Sequence, residues 1–371
     1  MKFARLFVIL FVLSDSCIER FELPDREMNP ILVVDGLITN EPGPYYISLY
    51  YSHVLNKIVR NPEPVGNATI NIFDDQGNSE TLMETVKGGE YFTSATGIRG
   101  TLGRKYHITI TTSDGKQYAT APQVMIEPGE ITNLRYQVFP NSINRDDVFK
   151  PQHTVKFFID ARASSELSNY FRWRWTSTYE IKNLPEGRTK WISSRPRPTI
   201  VPDPPACSGV RVRPGSVQLE VFAPCTCCYC WVTTTSRNVV LSNNKFLTTQ
   251  EFEDVLVATI PVDKRPFDYR FHMKVEQLAL SEQAYRYWRL VQSQEENQQS
   301  LFVPNVIRMQ GNVFNIAEPE EVVLGLFSAS GVTSKTMFIE QRSIPFEVFA
   351  EEPYESCLDT PGSTNIRPDF W

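Results

Sequence analysis

The feature of the chain that most constrains its fold is a series of short segments in which apolar and polar residues alternate between glycine-containing turns. Residues 68–73 and 106–111 alternate with a period of two, which places successive side chains on opposite faces of a β-strand. Residues 74–78 and 113–116 supply the Asp, Asn, Ser and Gly that tight turns favour. Gly36 is expected to interrupt the first strand. Short strands at this spacing predict an antiparallel β-sandwich.

The alternating pattern extends over most of the 371 residues and divides them into two β-rich regions. We predict a mainly β fold, in which an antiparallel sandwich occupies residues 31–127 and resembles immunoglobulin- or transthyretin-like modules. A linker at 122–131 leads to a larger β-rich domain at 128–345, which includes one amphipathic helix near 281–297. Residues 346–371 are expected to form a C-terminal tail.

The helix is predicted from its start signal and from the spacing of its apolar residues. Ser281 is a favourable N-cap. The apolar residues Ala284, Tyr287, Trp288 and Val291 recur at intervals of three and four. We expect this stripe to pack against a sheet rather than to line a ligand site.

Residues 1–16 have the features of a secretory signal peptide, and the next residue is a cysteine. The apolar run at 7–13 is far shorter than the ~20 residues that a transmembrane helix needs. Bacterial lipoproteins are cleaved directly before a cysteine that is then acylated, and Ser16 is small enough for such a site. We therefore predict a lipid anchor on Cys17 and a polar tether over 17–30. The alternative is an ordinary signal peptide in which this cysteine is coincidental.

The other six cysteines are expected to form disulfides, because an even number in an exported chain favours pairing. Zinc binding is the weaker alternative, since the dense cluster at 225–230 has no second cysteine pair or histidine at ligand spacing. The sequence does not choose among the fifteen possible pairings, but neighbouring cysteines are expected to have different partners. The candidates are Cys207, Cys225, Cys227, Cys228, Cys230 and Cys357.

One strand, at 170–176, places aromatic residues on one face and arginines on the other. The aromatic face predicts core packing, and a carbohydrate-binding platform is the alternative, with Trp173 and Trp175 as its contacts. Arg172 and Arg174 on the other face are expected to be solvated, or to pair with acidic groups of a partner.

A Pro-rich segment at 182–213 is basic although the whole chain carries a net charge of -6. It holds seven Lys and Arg residues against two acidic ones. We interpret 182–231 as a basic, Cys-containing loop, and loops of this length are often functional. It is either a contact surface for anionic lipopolysaccharide or an acidic partner, or a solvated loop. The candidate contacts are Arg195, Arg197, Arg211 and Arg213.

The sequence lacks the local motifs of common enzymes, including the Gly-x-Ser-x-Gly elbow, the His-Glu-x-x-His zinc motif and the phosphate and dinucleotide loops. We therefore expect a protein that is not an enzyme and that holds no metal or cofactor. A hydrolase with dispersed catalytic residues is the less favoured alternative, because such residues are brought together only by folding. The acidic net charge argues against a nucleic-acid partner.

Several segments, in their order along the chain, match one family of bacterial proteins. They lie at 32–39, 65–70, 89–91, 103–106, 278–285, 311–315 and 323–330. Through them the chain resembles the domain-of-unknown-function 4249 family of Bacteroidetes lipoproteins. The resemblance implies an outer-membrane, lipid-anchored protein encoded beside a TonB-dependent receptor. We expect the anchor at the cell surface, and the periplasmic leaflet is the alternative.

This resemblance leads us to expect a non-enzymatic accessory or ligand-capture component that docks on a TonB-dependent barrel. A stand-alone glycan- or peptide-binding module is the alternative. The resemblance implies no site residues.

Overall fold

The protein is built mainly from β-strands, as the alternating pattern predicts. The computed structural model describes residues 30–52, 62–143, 151–164, 170–193, 197–242, 250–262, 265–297, 311–345 and 354–371. The predicted signal peptide, Cys17 with nearly all of its tether, and Arg195 lie outside these ranges.

The strands are numbered in chain order. Those before residue 125 are β1 (Leu32–Thr39), β2 (Tyr46–Tyr51), β3 (Glu63–Pro64), β4 (Thr69–Asp74), β5 (Ser79–Thr81), β6 (Met83–Glu84), β7 (Glu90–Phe92), β8 (Lys105–Thr111), β9 (Gln117–Thr120) and β10 (Gln123–Val124).

The later strands are β11 (Glu130–Ile143), β12 (Pro151–Arg162), β13 (Phe171–Lys182), β14 (Thr189–Ile192), β15 (Thr199–Pro202), β16 (Val210–Val212), β17 (Leu219–Val221), β18 (Tyr229–Thr235), β19 (Val240–Leu241), β20 (Glu251–Pro261), β21 (Arg270–Ala279), β22 (Val313–Asn315), β23 (Leu324–Ser330), β24 (Val332–Glu340) and β25 (Ser363–Thr364). The helix α1 (Glu282–Asn297) follows β21. Short 3-10 helices lie at Pro185–Gly187, Ala206–Ser208, Gln341–Ser343 and Cys357–Asp359.

Two sheets form the first sandwich. One has the strand order β23-β1-β2-β7-β6 with β3 on β2, and the other has the order β22-β9-β8-β4-β5 with β10 on β8. Ile70 and Ile72 of β4 and Tyr106 and Ile108 of β8 are buried in one core, and the residues between them are more exposed. Removal of this apolar surface from water stabilises the sandwich.

Strands from residues 311–330 complete the first sandwich, although they are distant in sequence from the predicted domain at 31–127. β22 pairs with β9, and β23 runs parallel to β1 with Val34 opposite Gly325. Phe327 of β23 is buried in the same core. Residue 127 therefore ends only the N-terminal part of this sandwich, because local alternation does not encode which distant strands pair.

The second sandwich has the sheet β11-β12-β20 on one side and β24-β21-β13-β18-β25 on the other, with β19 on β13. Phe157 of the first of these sheets and Trp173, Phe271 and Met273 of the second are buried in a shared core. Phe157 and Phe271 stack across it, with ring centroids 5.8 Å apart. Each sheet thus buries one face against the other.

The chain passes between the sandwiches at two adjacent places. The first lies within the predicted linker, where β10 still pairs with β8 and Met125 is buried. The second is Gly331, between β23 and β24. Its N–H donates to the Ile126 carbonyl at 3.1 Å, and a Cβ here would lie 2.2 Å from that oxygen. Only glycine allows the two crossings to approach this closely.

Several strands differ from their predicted bounds; β13, for example, runs on to Lys182 instead of ending at residue 176. β1 continues through Gly36, where a Cβ would lie only 3.1 Å from the Ile47 and Phe327 side chains. This glycine lets core side chains approach the strand and does not end it. β11 begins inside the predicted linker. A register shift between Ile131 and Asn133 breaks the alternation that would otherwise identify it.

The helix α1 confirms the predicted helix and its cap. The Ser281 hydroxyl accepts a hydrogen bond from the Ala284 N–H at 3.2 Å. The helix packs at the junction of the two sandwiches, where Ala284 is buried with Leu326 of the first and Val332 of the second. The helix therefore contacts both sandwiches.

The predicted C-terminal tail is part of the second sandwich over residues 354–371. β25 pairs with β18, and Cys357 is disulfide-bonded to Cys230 of that strand. The Trp371 ring lies against the Phe338 ring of β24, with centroids 5.6 Å apart. The C-terminal residues are thus anchored at several points and are not a free tail.

Candidate functional site

Trp173 lies in the core of the second sandwich. Its side chain is 1% exposed, and its Nε1 donates a hydrogen bond to Gln277 Oε1 at 2.7 Å. Phe252 of the opposing sheet packs edge-on against it. The predicted core packing is therefore confirmed for Trp173, and the alternative of a ligand contact there is wrong, because the β11-β12-β20 sheet covers this aromatic face. Trp175 is half-buried against the same core.

The sequence predicts solvated arginines on the opposite face of β13, but the structure places them in contact with other side chains. Arg174 forms an ion pair with Glu276 of β21, and Lys274 Nζ lies 2.7 Å from the same carboxylate and 3.5 Å from Glu41 of the first sandwich. Burial by itself would raise the pKa of Glu276. The cations and their hydrogen bonds outweigh it and hold this pKa below its ordinary value. The charged network thus joins the two sandwiches.

Replacing Glu276 with glutamine is expected to destabilise the protein by about 2 kcal/mol at neutral pH, because Arg174 loses its anionic partner. The loss is smaller than for a fully buried pair, since about a third of the Arg174 side chain is exposed. The folded-state pKa of Glu276 is depressed. Its contribution is therefore present above the ordinary value of 4.5 and is lost as the pH falls through the lowered pKa. Denaturant unfolding at a series of pH values should show a weaker acid dependence in the variant.

Glu251→Gln is the matched control for this prediction. Glu251 pairs with Arg162 at 2.8 Å, but both side chains are about half exposed. The expected change in the free energy of unfolding is below ~0.5 kcal/mol. Equal losses in the two variants would contradict the role assigned to Glu276.

The described residues of 189–222, which are 189–193 and 197–222 and which we name the arm, contain two short antiparallel strand pairs where an irregular loop is predicted. β14 pairs with β15, and β16 pairs with β17. The predicted cysteines form the disulfides Cys207–Cys227, Cys225–Cys228 and Cys230–Cys357. The two neighbouring cysteines at 227 and 228 thus have different partners. The first of these bridges ties the arm to the segment just before β18.

Large apolar side chains of the arm are exposed to solvent. Trp191 is 71% exposed and Val221 is 76% exposed. The strand pairs border an open groove of about 590 Å³, whose lining includes Val201 and Val210. Other exposed apolar residues of the arm are Ile192, Ile200, Val217, Leu219 and Phe222. Exposed apolar patches on a soluble body mark contact sites.

The positive charge predicted for this region is partly balanced within the arm. Lys190 Nζ lies 2.9 Å from the Asp203 carboxylate, and Arg211 Nε lies 3.5 Å from Glu220 across the second strand pair. The exposed candidate arginines of the arm are Arg197, Arg211 and Arg213. The arm therefore presents apolar and cationic groups together.

A separate group of side chains, which we name the junction cluster, lies beside α1. It consists of Asp35 of β1, Tyr50 of β2, Arg172 of β13, and Tyr287 and Trp288 of α1. The guanidinium carbon of Arg172 lies 3.5 Å from the centroid of the Trp288 ring, which is a cation–π contact. Asp35 interacts electrostatically with Arg172, with Tyr50 and with Tyr287. The cluster thus draws on both sandwiches and the helix.

The surroundings of the junction cluster shift its pKa values. Burial raises the pKa of Asp35, and Arg172 opposes the rise. Burial lowers the pKa of Arg172 to about 10; Arg174 lowers it too, whereas Asp35 raises it. Burial and then Asp35 raise the pKa of Tyr287 to about 12. At neutral pH the cluster therefore holds a charged guanidinium and a neutral phenol.

Asp35 is exposed to solvent, although partial burial raises its pKa. Only part of the cluster is predictable from the sequence. Alternation indicates a solvated Arg172, and helical spacing indicates a packing role for Tyr287 and Trp288. The signal for Asp35 is a single charge within the apolar run of β1. The sequence does not show that these residues meet.

A family model matches residues 18–336, which include the arm, the junction cluster and most of both sandwiches. The family is described as a domain of unknown function, DUF4249. The chain belongs to the DUF4249 family. The prediction that the chain is a member of this family is therefore confirmed. Among curated proteins, none matches the chain.

Two of the segments by which the chain resembles DUF4249 proteins meet in the structure. The Asn312 side chain donates to the Phe327 carbonyl at 2.7 Å and accepts from the Phe327 N–H at 3.0 Å. Gly311 lies so close to Gly325 that a Cβ would overlap the Gly325 carbonyl oxygen. We name these contacts the clasp. They hold the start of β22 against β23, beside β1.

Two further observations concern the DUF4249 chain as far as it is described. No helix there combines the length and hydropathy of a membrane span. No three His, Cys, Asp or Glu side chains there are grouped so that they could hold a metal ion. The cysteines weighed as zinc ligands are all disulfide-bonded.

Proposed function

We propose that this DUF4249 protein is a lipid-anchored accessory component of the outer membrane, without enzymatic activity, that docks on a TonB-dependent transporter and helps it capture a ligand. The arm is the docking surface in this proposal. The observation that carries it is the exposure of large apolar side chains and arginines together on an arm that a disulfide holds in place. Protein contact sites combine such groups.

The anchor in this proposal is Cys17, and its support is the sequence alone. Several acyl chains hold a soluble body firmly on a membrane, since each buried CH₂ contributes about 0.8 kcal/mol. Mass spectrometry of the mature protein from native membranes tests this step. A chain that begins at an acylated Cys17 is expected, whereas an N-terminal Met1 or an unmodified thiol at position 17 would contradict it.

Charge indicates the chemistry of the partner surface. The chain carries a net charge of -6, but the segment at 182–213 is basic. Complementary charge steers two proteins into one orientation and speeds their association. The partner surface is therefore an acidic patch with exposed apolar groups, on the part of the transporter that faces the anchored protein.

The double variant Trp191→Ser/Val221→Ser is expected to reduce recovery of the transporter at least about tenfold, because exposed anchors at a contact centre often contribute more than 1 kcal/mol each. Both side chains are more than two-thirds exposed, so that folding should be unaffected. The measurement is co-purification of tagged protein from membranes in mild detergent, with the barrel quantified by mass spectrometry.

Val86→Ser is the control, since Val86 is fully exposed on the first sandwich, outside the arm. Its recovery of the barrel should equal that of the unaltered protein. Failure of the unaltered protein to recover any barrel would remove the transporter from the proposal. Equal recovery by the arm variant and the control would remove the arm from it.

A stand-alone glycan- or peptide-binding module is the second candidate function. The observation that favours it is the junction cluster, which places a charged guanidinium, a carboxylate and aromatic rings together. Binding by this cluster requires no transporter, so the two candidate functions can be tested separately.

A further inference from the structure

The Arg172 guanidinium lacks the partners that a surrounded cation normally has. Its Nε is inaccessible to solvent and has no hydrogen-bond partner. Within the described part of the chain, no ion pair or hydrogen bond of this guanidinium is found, and its contact is the Trp288 ring 3.5 Å away. Stacking on an aromatic face leaves the in-plane N–H groups of an arginine free to donate. Because a ligand cannot reach the inaccessible Nε, the donors available to it are the two terminal nitrogens, for which no acceptor is found among the described residues.

Asp35 is the carboxylate with the largest effect on the pKa of Arg172, but it is not the acceptor for the N–H groups of this guanidinium. Asp35 influences the charge state of Arg172, but the two side chains form no ion pair. Among the residues placed by the structure, none donates a hydrogen bond to the Asp35 carboxylate. A cation and an anion that are near each other and yet unpaired leave room for a group that contacts both.

The position of the cluster suits a small ligand. It lies where the first sandwich, the second sandwich and α1 meet, and binding sites form preferentially at such junctions. Tyr50 and Tyr287 add phenol groups beside Asp35. The site thus offers paired donors, an acceptor and aromatic rings within one cluster of side chains.

We propose that the junction cluster binds a small carboxylate ligand that carries a hydroxyl or ammonium group next to its carboxylate. Arg172 holds the ligand carboxylate through paired N–H donors, the geometry in which guanidinium recognises carboxylates. Asp35 accepts a hydrogen bond from the neighbouring hydroxyl or ammonium group. Asp35 and Glu295 both act on Arg172, and their negative charge disfavours a dianion such as phosphate.

The ligand chemistry has two sources, a sugar acid or an amino acid, and the experiment separates them. The full-length protein in detergent, without any barrel, is titrated calorimetrically with D-gluconate and with L-alanine. D-glucose lacks the carboxylate, and acetate lacks the neighbouring donor, so these two serve as controls. We expect a saturable isotherm with a Kd below about 1 mM for at least one of the two probes and none for the controls.

Arg172→Gln is expected to weaken binding of that probe at least about thirtyfold, and Asp35→Asn at least about tenfold. If circular dichroism shows that Arg172→Gln fails to fold, Asp35→Asn by itself tests the assignment of the ligand site. Arg162→Gln, an exposed arginine of the second sandwich, should leave the affinity unchanged.

Absence of binding for both probes overturns the assignment, as does acetate binding equal to theirs. An Asp35→Asn variant that keeps full affinity also overturns it. Because no transporter is present, these outcomes are independent of whether the arm docks on one.

Discussion

Gly325→Ala is expected to destabilise the protein by about 4 kcal/mol or more, a loss large enough to leave much of the chain unfolded. Gly325 has a φ of +93°, which favours glycine. A Cβ at this position would lie 2.0 Å from the carbonyl oxygen of Val34, on the strand that pairs with β23. Because the obstacle is backbone, rotation of a side chain cannot relieve the overlap. The β1–β23 pair and the clasp around Asn312 would have to separate.

Gly77→Ala is the control that separates the steric overlap of the new Cβ from the free energy of placing an alanine at positive φ. Gly77 has a φ of +87°, similar to that of Gly325, but a Cβ there would meet nothing within 4 Å. This variant should lose only about 1–2 kcal/mol, the free energy of placing an alanine at positive φ. Urea unfolding followed by tryptophan fluorescence measures both variants. Losses of the same size would show that the contact with Val34 contributes nothing.

Cys230→Ser/Cys357→Ser is expected to lower the free energy of unfolding by about 5 kcal/mol, because the bridge closes a long loop in the unfolded chain. Its two cysteines are 127 positions apart in sequence. Both sulfur atoms are buried with Ile181 and Val232. The loss should appear in guanidinium unfolding, and limited proteolysis should cleave the variant near the C-terminal segment at 354–371 first.

Cys225→Ser/Cys228→Ser is the matched control for the long bridge. Its cysteines are only three positions apart, so that chain entropy assigns to it about 2 kcal/mol. The ranking of the two double variants is the test. If the short bridge contributes as much as the long one, loop closure is not the source of the stabilisation.

The sequence predicts the local elements of this fold because each is encoded by neighbouring residues. Alternation at 106–111 becomes β8, with Tyr106, Ile108 and Ile110 buried. Ser281 caps α1 through the Ala284 N–H, as a hydroxyl at this position should. These signals act over a few residues, and the tertiary structure leaves them unchanged.

The candidate sites are less predictable, since they depend on which faces become covered. Trp173 and Arg172 lie on opposite faces of β13. Alternation alone predicts that Trp173 packs in the core and that Arg172 is exposed to solvent. In the structure Phe252 covers the first face, and the helix and the first sandwich cover the second. Arg172 therefore becomes a surrounded cation instead of a surface one.

The sequence by itself determined that this protein is β-rich, where most of its strands and its helix lie, and that it belongs to the DUF4249 family. Only the tertiary structure decided that β23 completes the first sandwich, that the arm exposes its apolar residues, and that Asp35 meets Arg172. The physical reason is range: dihedral preferences and alternation act between neighbours in the chain. Strand pairing, burial and charge proximity depend instead on groups that folding alone brings together.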